Sequence, residues 1–264
     1  MYNFNYLRPA SVADAAKALG ASSDAKLVAG GQTLLPTMKQ RLAQPSDLVD
    51  LGGITELKGI KMDGNNLVIG AMTTHAEVAK SSVVKGAISA LAVLADGIGD
   101  PQVRNRGTIG GSISNSDPAA DYPAGLVGLG ATVVTNKRKI AADDFFKGMF
   151  ETALEAGEIV TAVSFPKPEK AAYAKFPQPA SRFALVGVFV SKSGGNVRVA
   201  VTGAGPKVFR QVDMEKALAA NFAADSIKGV KVASSGLNSD IHGSADYRAH
   251  LVGVMARRAV AAAG

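Results

Sequence analysis

Two stretches of the chain place paired glycines among hydrogen-bonding residues. They are Leu27-Val28-Ala29-Gly30-Gly31-Gln32-Thr33-Leu34 and Thr108-Ile109-Gly110-Gly111-Ser112-Ile113-Ser114-Asn115. Without Cβ atoms in the way, a ligand can approach the main chain closely, and consecutive N–H groups can surround an anion. The second stretch repeats that chemistry and adds side-chain hydroxyl and amide donors. A single Gly-Gly pair is most often a turn. Two of them, each bordered by donors, suit a ligand with two adjacent phosphates gripped from two sides. Asp121, ten residues beyond the second pair, can accept from a ribose or ribityl hydroxyl; its plain alternative is a cap for the helix that starts near Pro123.

Other constellations fail. His75, His242 and His250 are scattered and none lies in a His-Glu-x-x-His arrangement, so they read as cap, turn or surface residues. Ser112, Ser114 and Ser116 lack the Gly-x-Ser-x-Gly elbow. Asp143-Asp144 reads as a helix start, and Asp117 with Asp121 makes only a weak Mg²⁺ pair. Neither glycine stretch is Gly-x-Gly-x-x-Gly or a P-loop, which sets aside a Rossmann site and a nucleotide hydrolase. The 264 residues contain no Cys. Disulfides, thiolate-ligated zinc, a cysteine nucleophile and an iron–sulfur cluster held by this chain alone are thereby excluded. Lys and Arg total 29 against 22 Asp and Glu, a net charge of +7. The basic runs Arg104-Asn105-Arg106, Lys137-Arg138-Lys139 and Arg257-Arg258 are short and separated, Trp is absent and aromatics are 6%. That is solvated surface, not a nucleic-acid footprint. No signal peptide and no apolar run of the ~20 residues needed to span a bilayer are present, so the cytoplasm is the default compartment.

The elements that must position these residues fall into three groups. Ser11, with Asp14 three residues on, opens a helix that Gly20 stops. The strand 26–29 follows, then a helix with Pro36 in its first turn and Arg41 in its last, then the strand 48–51, a β-α-β-like module ending near 55. Strands 57–60 and 67–69 flank the turn signal Asp63-Gly64. Thr74 and Glu77 pair as a capping box before a helix around Ile88, Leu91, Val93 and Leu94. Residues 97–121 read as a long polar loop, and strands resume at 131–135 and 158–165. Prolines 166, 168, 177 and 179 mark a boundary near 170. Beyond it come strands 185–190 and 197–201 around Gly194-Gly195-Asn196. Helices capped by Asp213, Asp225 and Ser244 follow, the last with Tyr247, Leu251, Val254 and Met255 on one face.

The strings 29–36 (AGGQTLLP), 98–112 (IGDPQVRNRGTIGGS) and 116–121 (SDPAAD) resemble the FAD-binding medium subunit of molybdenum hydroxylases, the xanthine dehydrogenase and carbon monoxide dehydrogenase family. The resemblance runs nearly the whole chain, through Gly203-Ala204-Gly205 and Arg257-Arg258-Ala259. It implies an α+β fold: a vanillyl-alcohol-oxidase-type (PCMH-type) FAD domain of two α+β subdomains, here 1–55 and 56–170. A smaller C-terminal domain, 171–264, with three antiparallel strands and helices, completes that fold. It also implies that Leu27 to Leu34 and Thr108, Ile109, Gly110, Gly111 and Ser112 hold the FAD pyrophosphate, mainly through backbone N–H groups, with Ser114 and Asn115 beside them. Asp121 takes the place of the acidic residue of the second motif. Ile98 and Ile159 fall on apolar positions near the flavin and Lys175 on a lysine close to the isoalloxazine.

Members of that family work as heterotrimers, usually paired. A large subunit carries molybdenum–pterin, a small one carries two [2Fe–2S] clusters, and the medium one passes electrons through FAD to NAD⁺, a quinone, O₂ or another acceptor. The expected role is therefore electron transfer in a multi-subunit assembly, without nucleic acid or a transmembrane segment. The expected place is cytoplasmic, or peripheral at the inner membrane face if the acceptor is a quinone. A stand-alone flavin reductase of the same fold is the alternative; it needs a substrate-protonating Ser or Glu in the third unit, where none stands in a recognisable setting. A cofactor-free scaffold is a third reading, opposed by the intact glycines.

Overall fold

A computed structural model describes residues 1–263. Three parallel strands, β1 (Asn5–Leu7), β2 (Lys26–Val28) and β3 (Asp47–Asp50), form the first sheet in the order β1-β3-β2. The helices α1 (Val12–Gly20) and α2 (Leu34–Lys39) supply the crossovers that parallel strands require. Ser11 caps α1 by accepting from the Asp14 amide at 3.1 Å. Arg41 lies beyond the last turn of α2, at φ +62° with its guanidinium over the Tyr2 ring; Lys39 holds the last-turn place.

The second sheet is antiparallel throughout: β4 (Ile60–Asp63), β5 (Asn66–Gly70), β6 (Thr132–Thr135), β7 (Lys139–Ala141) and β10 (Val160–Pro166), ordered β4-β5-β10-β6-β7. Its first strand begins at Ile60 rather than Leu57. Leu57 sits buried in a 3₁₀ turn, where its carbonyl accepts from the Met72 amide at 2.8 Å and so cannot serve the ladder. The short strands β8 (Phe146–Gly148) and β9 (Glu151–Thr152) form a hairpin. Between β5 and β6 come α3 (His75–Lys80), α4 (Ser82–Ala87), α5 (Ser89–Asp96), α6 (Pro101–Arg104), α7 (Ile109–Asn115) and α8 (Tyr122–Leu129), with α9 (Ala142–Phe145) after β7.

The passage 97–121 is therefore not a plain loop. Asp100 caps α6 by accepting from Val103 at 2.8 Å, with Pro101 at the first helical position, and Thr108 caps α7. Both helices are too short to show an apolar period, which hid them from the sequence reading.

The third sheet orders β11 (Lys170–Pro177), β12 (Ala184–Ser193), β13 (Asn196–Thr202) and the two-residue β14 (Phe209–Arg210) antiparallel, one short strand more than expected. β12 is buried on both faces. Val186, Val188 and Val190 pack in one cluster with Leu251 and Met255 of α11 (Ala245–Ala262), while Phe189 meets Gly125 and Gly128 of α8. A Cβ at Gly128 would lie 2.8 Å from the Phe189 ring, so that glycine sets how closely α8 approaches the sheet. Thr202 Oγ1 donates to Pro118 and Ala120 carbonyls at 3.1 and 2.6 Å, tying this sheet to the segment before α8.

Two expected caps are absent. α10 (Val212–Ala220) starts from Gln211, whose amide is held by the Val199 carbonyl, so Asp213 falls inside the helix and pairs with Lys216. Asp225 lies within a 3₁₀ turn, Ala224–Ile227. Ser244 does cap α11, accepting from the Tyr247 amide.

Candidate functional site

The first glycine pair follows β2 and leads into α2. Gly31 adopts φ +70°, a left-handed conformation open to glycine at little cost. Among the described residues, the amides of Gly30, Gly31, Gln32, Thr33 and Leu34 have no acceptor within the chain. Thr33, at the N-cap, makes no side-chain cap bond either. A row of unpaired donors at a strand-to-helix junction is an anion seat.

The second pair is used differently. It opens a helix instead of bending a hairpin, and its amides are spoken for. Ile109 donates to Thr73 O at 3.1 Å, Gly110 to Ala71 O at 2.8 Å and Ser112 to Thr108 O at 3.0 Å. Gly111 donates to Thr108 Oγ1 at 3.1 Å. A Cβ at Gly110 would fall 2.6 Å from Ala71 Cβ, so this glycine permits close packing. The expectation that consecutive N–H groups here surround an anion is thus corrected. What this segment leaves free are the Ser112 and Ser114 hydroxyls and the Asn115 side-chain amide, which have no hydrogen-bond partner among the described residues.

The two segments touch. A Cβ on Gly30 would lie 2.1 Å from the Arg106 carbonyl oxygen, and one on Gly111 would lie 3.5 Å from Ala29 Cβ. Both border one cavity of about 670 Å³. Its lining includes Leu27, Val28, Ala29, Gly30, Gly31, Gln32, Thr33 and Leu34 from the first segment and Thr108, Gly110, Gly111, Ser112, Ser114 and Asn115 from the second. Ile98, Asp121 and Ile159 also line it. Two selected residues do not. Ile109 is fully buried in the central core, because α7 turns that side chain away from the cavity. Lys175 lies behind Asp121, in an adjoining cleft of about 380 Å³.

Asp121 occupies the N-cap position of α8 but caps nothing. Its buried carboxylate accepts from Tyr173 Oη at 2.5 Å and lies 2.9 Å from Lys175 Nζ. Burial raises the Asp121 pKa, against the opposing pull of Lys175. Burial also drives the Tyr173 hydroxyl well above its ordinary value, with the Asp121 charge adding to it. Gly187 makes room for this arrangement, since a Cβ there would meet the Tyr173 hydroxyl. Lys175 further donates to Gly97 O at 3.0 Å. Arg104 holds the next two carbonyls of that turn, Ile98 O and Gly99 O, at 3.0 and 3.1 Å.

His75 was missed as a cavity residue. It begins α3 inside a full capping box, yet its imidazole is 4% exposed, faces the cavity lining and packs 5.3 Å from the Tyr122 ring. Burial, with the Arg104 charge adding to it, lowers its pKa to about 4, so the ring is neutral at pH 7. Val103, Phe150, Arg182 and Phe183 are among the other lining residues that were missed. Only a fold could find Phe150, Arg182 and Phe183, since their sequence neighbours carry no motif. No group of acidic, His or Cys side chains that could hold a metal ion exists among the described residues, Asp117 included; its Oδ1 accepts from the Ala119 amide instead.

A cavity with a row of bare amides and an apolar remainder, built where a small parallel module meets an antiparallel sheet, defines an α+β protein that seats an anionic ligand with an apolar part. Comparison with known proteins specifies it. Residues 2–168 match the family described as FAD binding domain in molybdopterin dehydrogenase. The nicotine 6-hydroxylase medium subunit of Paenarthrobacter nicotinovorans is 38% identical over 98% of this chain and 96% of its own length. The carbon monoxide dehydrogenase medium chain of Hydrogenophaga pseudoflava is also 38% identical, over 98% and 96%. Among solved structures, quinoline 2-oxidoreductase from Pseudomonas putida 86 superposes with a TM-score of 0.89 at 32% identity, covering 99% of this chain and 97% of that one. The chain belongs to this family of FAD-binding domains of molybdopterin dehydrogenases, whose similar members are subunits of multi-subunit oxidoreductases.

Proposed function

We propose that the chain carries FAD as the electron-transfer subunit of a molybdenum hydroxylase. The row of unpaired amides from Gly30 to Leu34 supports this reading most directly. These amides would hold the pyrophosphate, with Ser112, Ser114 and Asn115 donating from the other side. Asp121, already fixed by Tyr173 and Lys175, would accept from a ribityl or ribose hydroxyl. Ile98 and Ile159 would flank the ring system, and Lys175 would bear on it through Asp121 and the Gly97 turn. FAD, when bound, supplies a two-electron carrier between one-electron donors and an acceptor. The chain's own part is to seat it and to limit water around it; no residue here is placed to hydroxylate a substrate.

On the same reading, a large subunit holds molybdenum–pterin and a small one two [2Fe–2S] clusters, in a dimer of heterotrimers. Electrons enter from the clusters and leave to an external acceptor. Units 1–55, 56–170 and 171–264 would be the two FAD subdomains and the C-terminal domain. No helix among the described residues is long and apolar enough to cross a membrane, and we place the assembly in the cytoplasm.

The test is flavin uptake. The purified chain should bind FAD at micromolar concentration with a visible flavin spectrum. Gly111→Trp, whose side chain would enter the space beside Ala29, should abolish uptake while the far-ultraviolet circular dichroism stays that of the parent. A folded parent chain that binds no flavin refutes the proposal.

A further inference from the structure

The hairpin of β8 and β9 turns through Met149 and Phe150. Phe150, the second of these, has φ +57°. Gly or Asn is the ordinary residue there, and a bulky side chain at such an angle is an outlier. The conformation is held in place. Phe150 N donates to Ser116 O at 2.9 Å, and Ser116 Oγ donates to Gly148 O at 3.2 Å. Ser116 is itself left-handed, at φ +48°, and ends α7. Two strained residues from separate segments thus lock each other.

What this lock achieves is a phenylalanine ring left 59% exposed on the rim of the large cavity. A hairpin that had only to turn would carry Gly or Asn. A ring that had only to pack would be buried. Strain held in place beside a cavity is a pointer to ligand contact.

Resting on the FAD reading above, we propose that Phe150 is the platform on which the flat isoalloxazine ring stacks. Aromatic faces bind planar heterocycles through their π surfaces. The position fits the isoalloxazine end of the cofactor and not the adenine end. Phe150 is bonded to Ser116, from which the cavity lining runs through Asp117 and Ala120 to Asp121, the residue through which Lys175 bears on the ring system.

The experiment titrates FAD into flavin-free preparations of the full chain and of Phe150→Ala, Phe150→Gly and Phe150→Tyr, following visible absorbance, flavin fluorescence and the thermal midpoint of the apoprotein. Stacking predicts that Ala and Gly weaken FAD binding on the order of tenfold and brighten the bound flavin's fluorescence, and that Tyr restores both. Relief of strain should make the Gly apoprotein melt higher than the parent, separating backbone from ring. Unchanged affinity and spectra in Ala and Gly would overturn the proposal. Weaker binding with the parent's absorption and fluorescence would also overturn it, by putting adenine on the ring. A parent chain that takes up no flavin fails at the earlier step and removes the FAD reading itself.

Discussion

The two glycine pairs look alike in sequence and use their backbones in opposite ways. At Gly30-Gly31 the amides are unpaired and a left-handed glycine turns them together. At Gly110-Gly111 every amide from Ile109 to Ser112 is already bonded, and Gly110 serves closeness to Ala71. One pair is a seat; the other is a buttress that presents hydroxyls. Missing Cβ atoms create either, and only the partners of the N–H groups tell which.

The largest effect should come from adding a Cβ where the segments meet. Gly30→Ala would put that atom 2.1 Å from the Arg106 carbonyl oxygen and 2.8 Å from Gly107 Cα, all backbone. Destabilisation of about 3 kcal/mol or more is expected in chemical denaturation. Gly111→Ala, whose nearest neighbour is the Thr108 hydroxyl at 3.0 Å, should stay within about 1 kcal/mol. Equal losses would erase the distinction between a glycine hemmed by backbone and one hemmed by a side-chain hydroxyl.

Acid should act on the buttress and spare the seat. The neutral His75 imidazole packs on Gly107, where a Cβ would lie 2.6 Å from Nε2, and its amide donates to Gly107 O at 3.0 Å. With the folded pKa lowered to about 4, the unfolded chain binds more protons between the ordinary 6.5 and 4. Stability is therefore full above pH 6.5 and falls as pH drops toward 4, by on the order of 3 kcal/mol. Unfolding free energy, measured across that window, should fall for the parent relative to His75→Phe as pH drops. Parallel curves would show that His75 is not the titrating group.

The smallest effects separate the two threonines that precede the helices. Thr108→Ala removes the acceptor of the Gly111 amide and should cost about 1 kcal/mol. Thr33→Ala removes no cap bond and should change stability by no more than a few tenths of a kcal/mol, because the seat is open by construction.

Much of the site was legible because it is local. The glycine pairs, the Thr74–Glu77 capping box and the strands β2 and β3 each announce themselves within a few residues. Phe150, Arg182 and Phe183 reach the cavity from segments far along the chain, and nothing in their neighbours marks them. Lys175 shows the same gap from the other side: matched to a cofactor position, it lies behind Asp121 as that carboxylate's counter-charge.

The sequence by itself determined where side chains are missing, which donors flank them, and that no thiol chemistry exists, since residue identity and short-range backbone preference suffice for those statements. The tertiary structure alone decided which amides stay unpaired, because a hydrogen bond needs its acceptor brought near. Thr73 and Ala71 supply acceptors to the second segment, and among the described residues none accepts from the amides of Gly30 to Leu34 in the first.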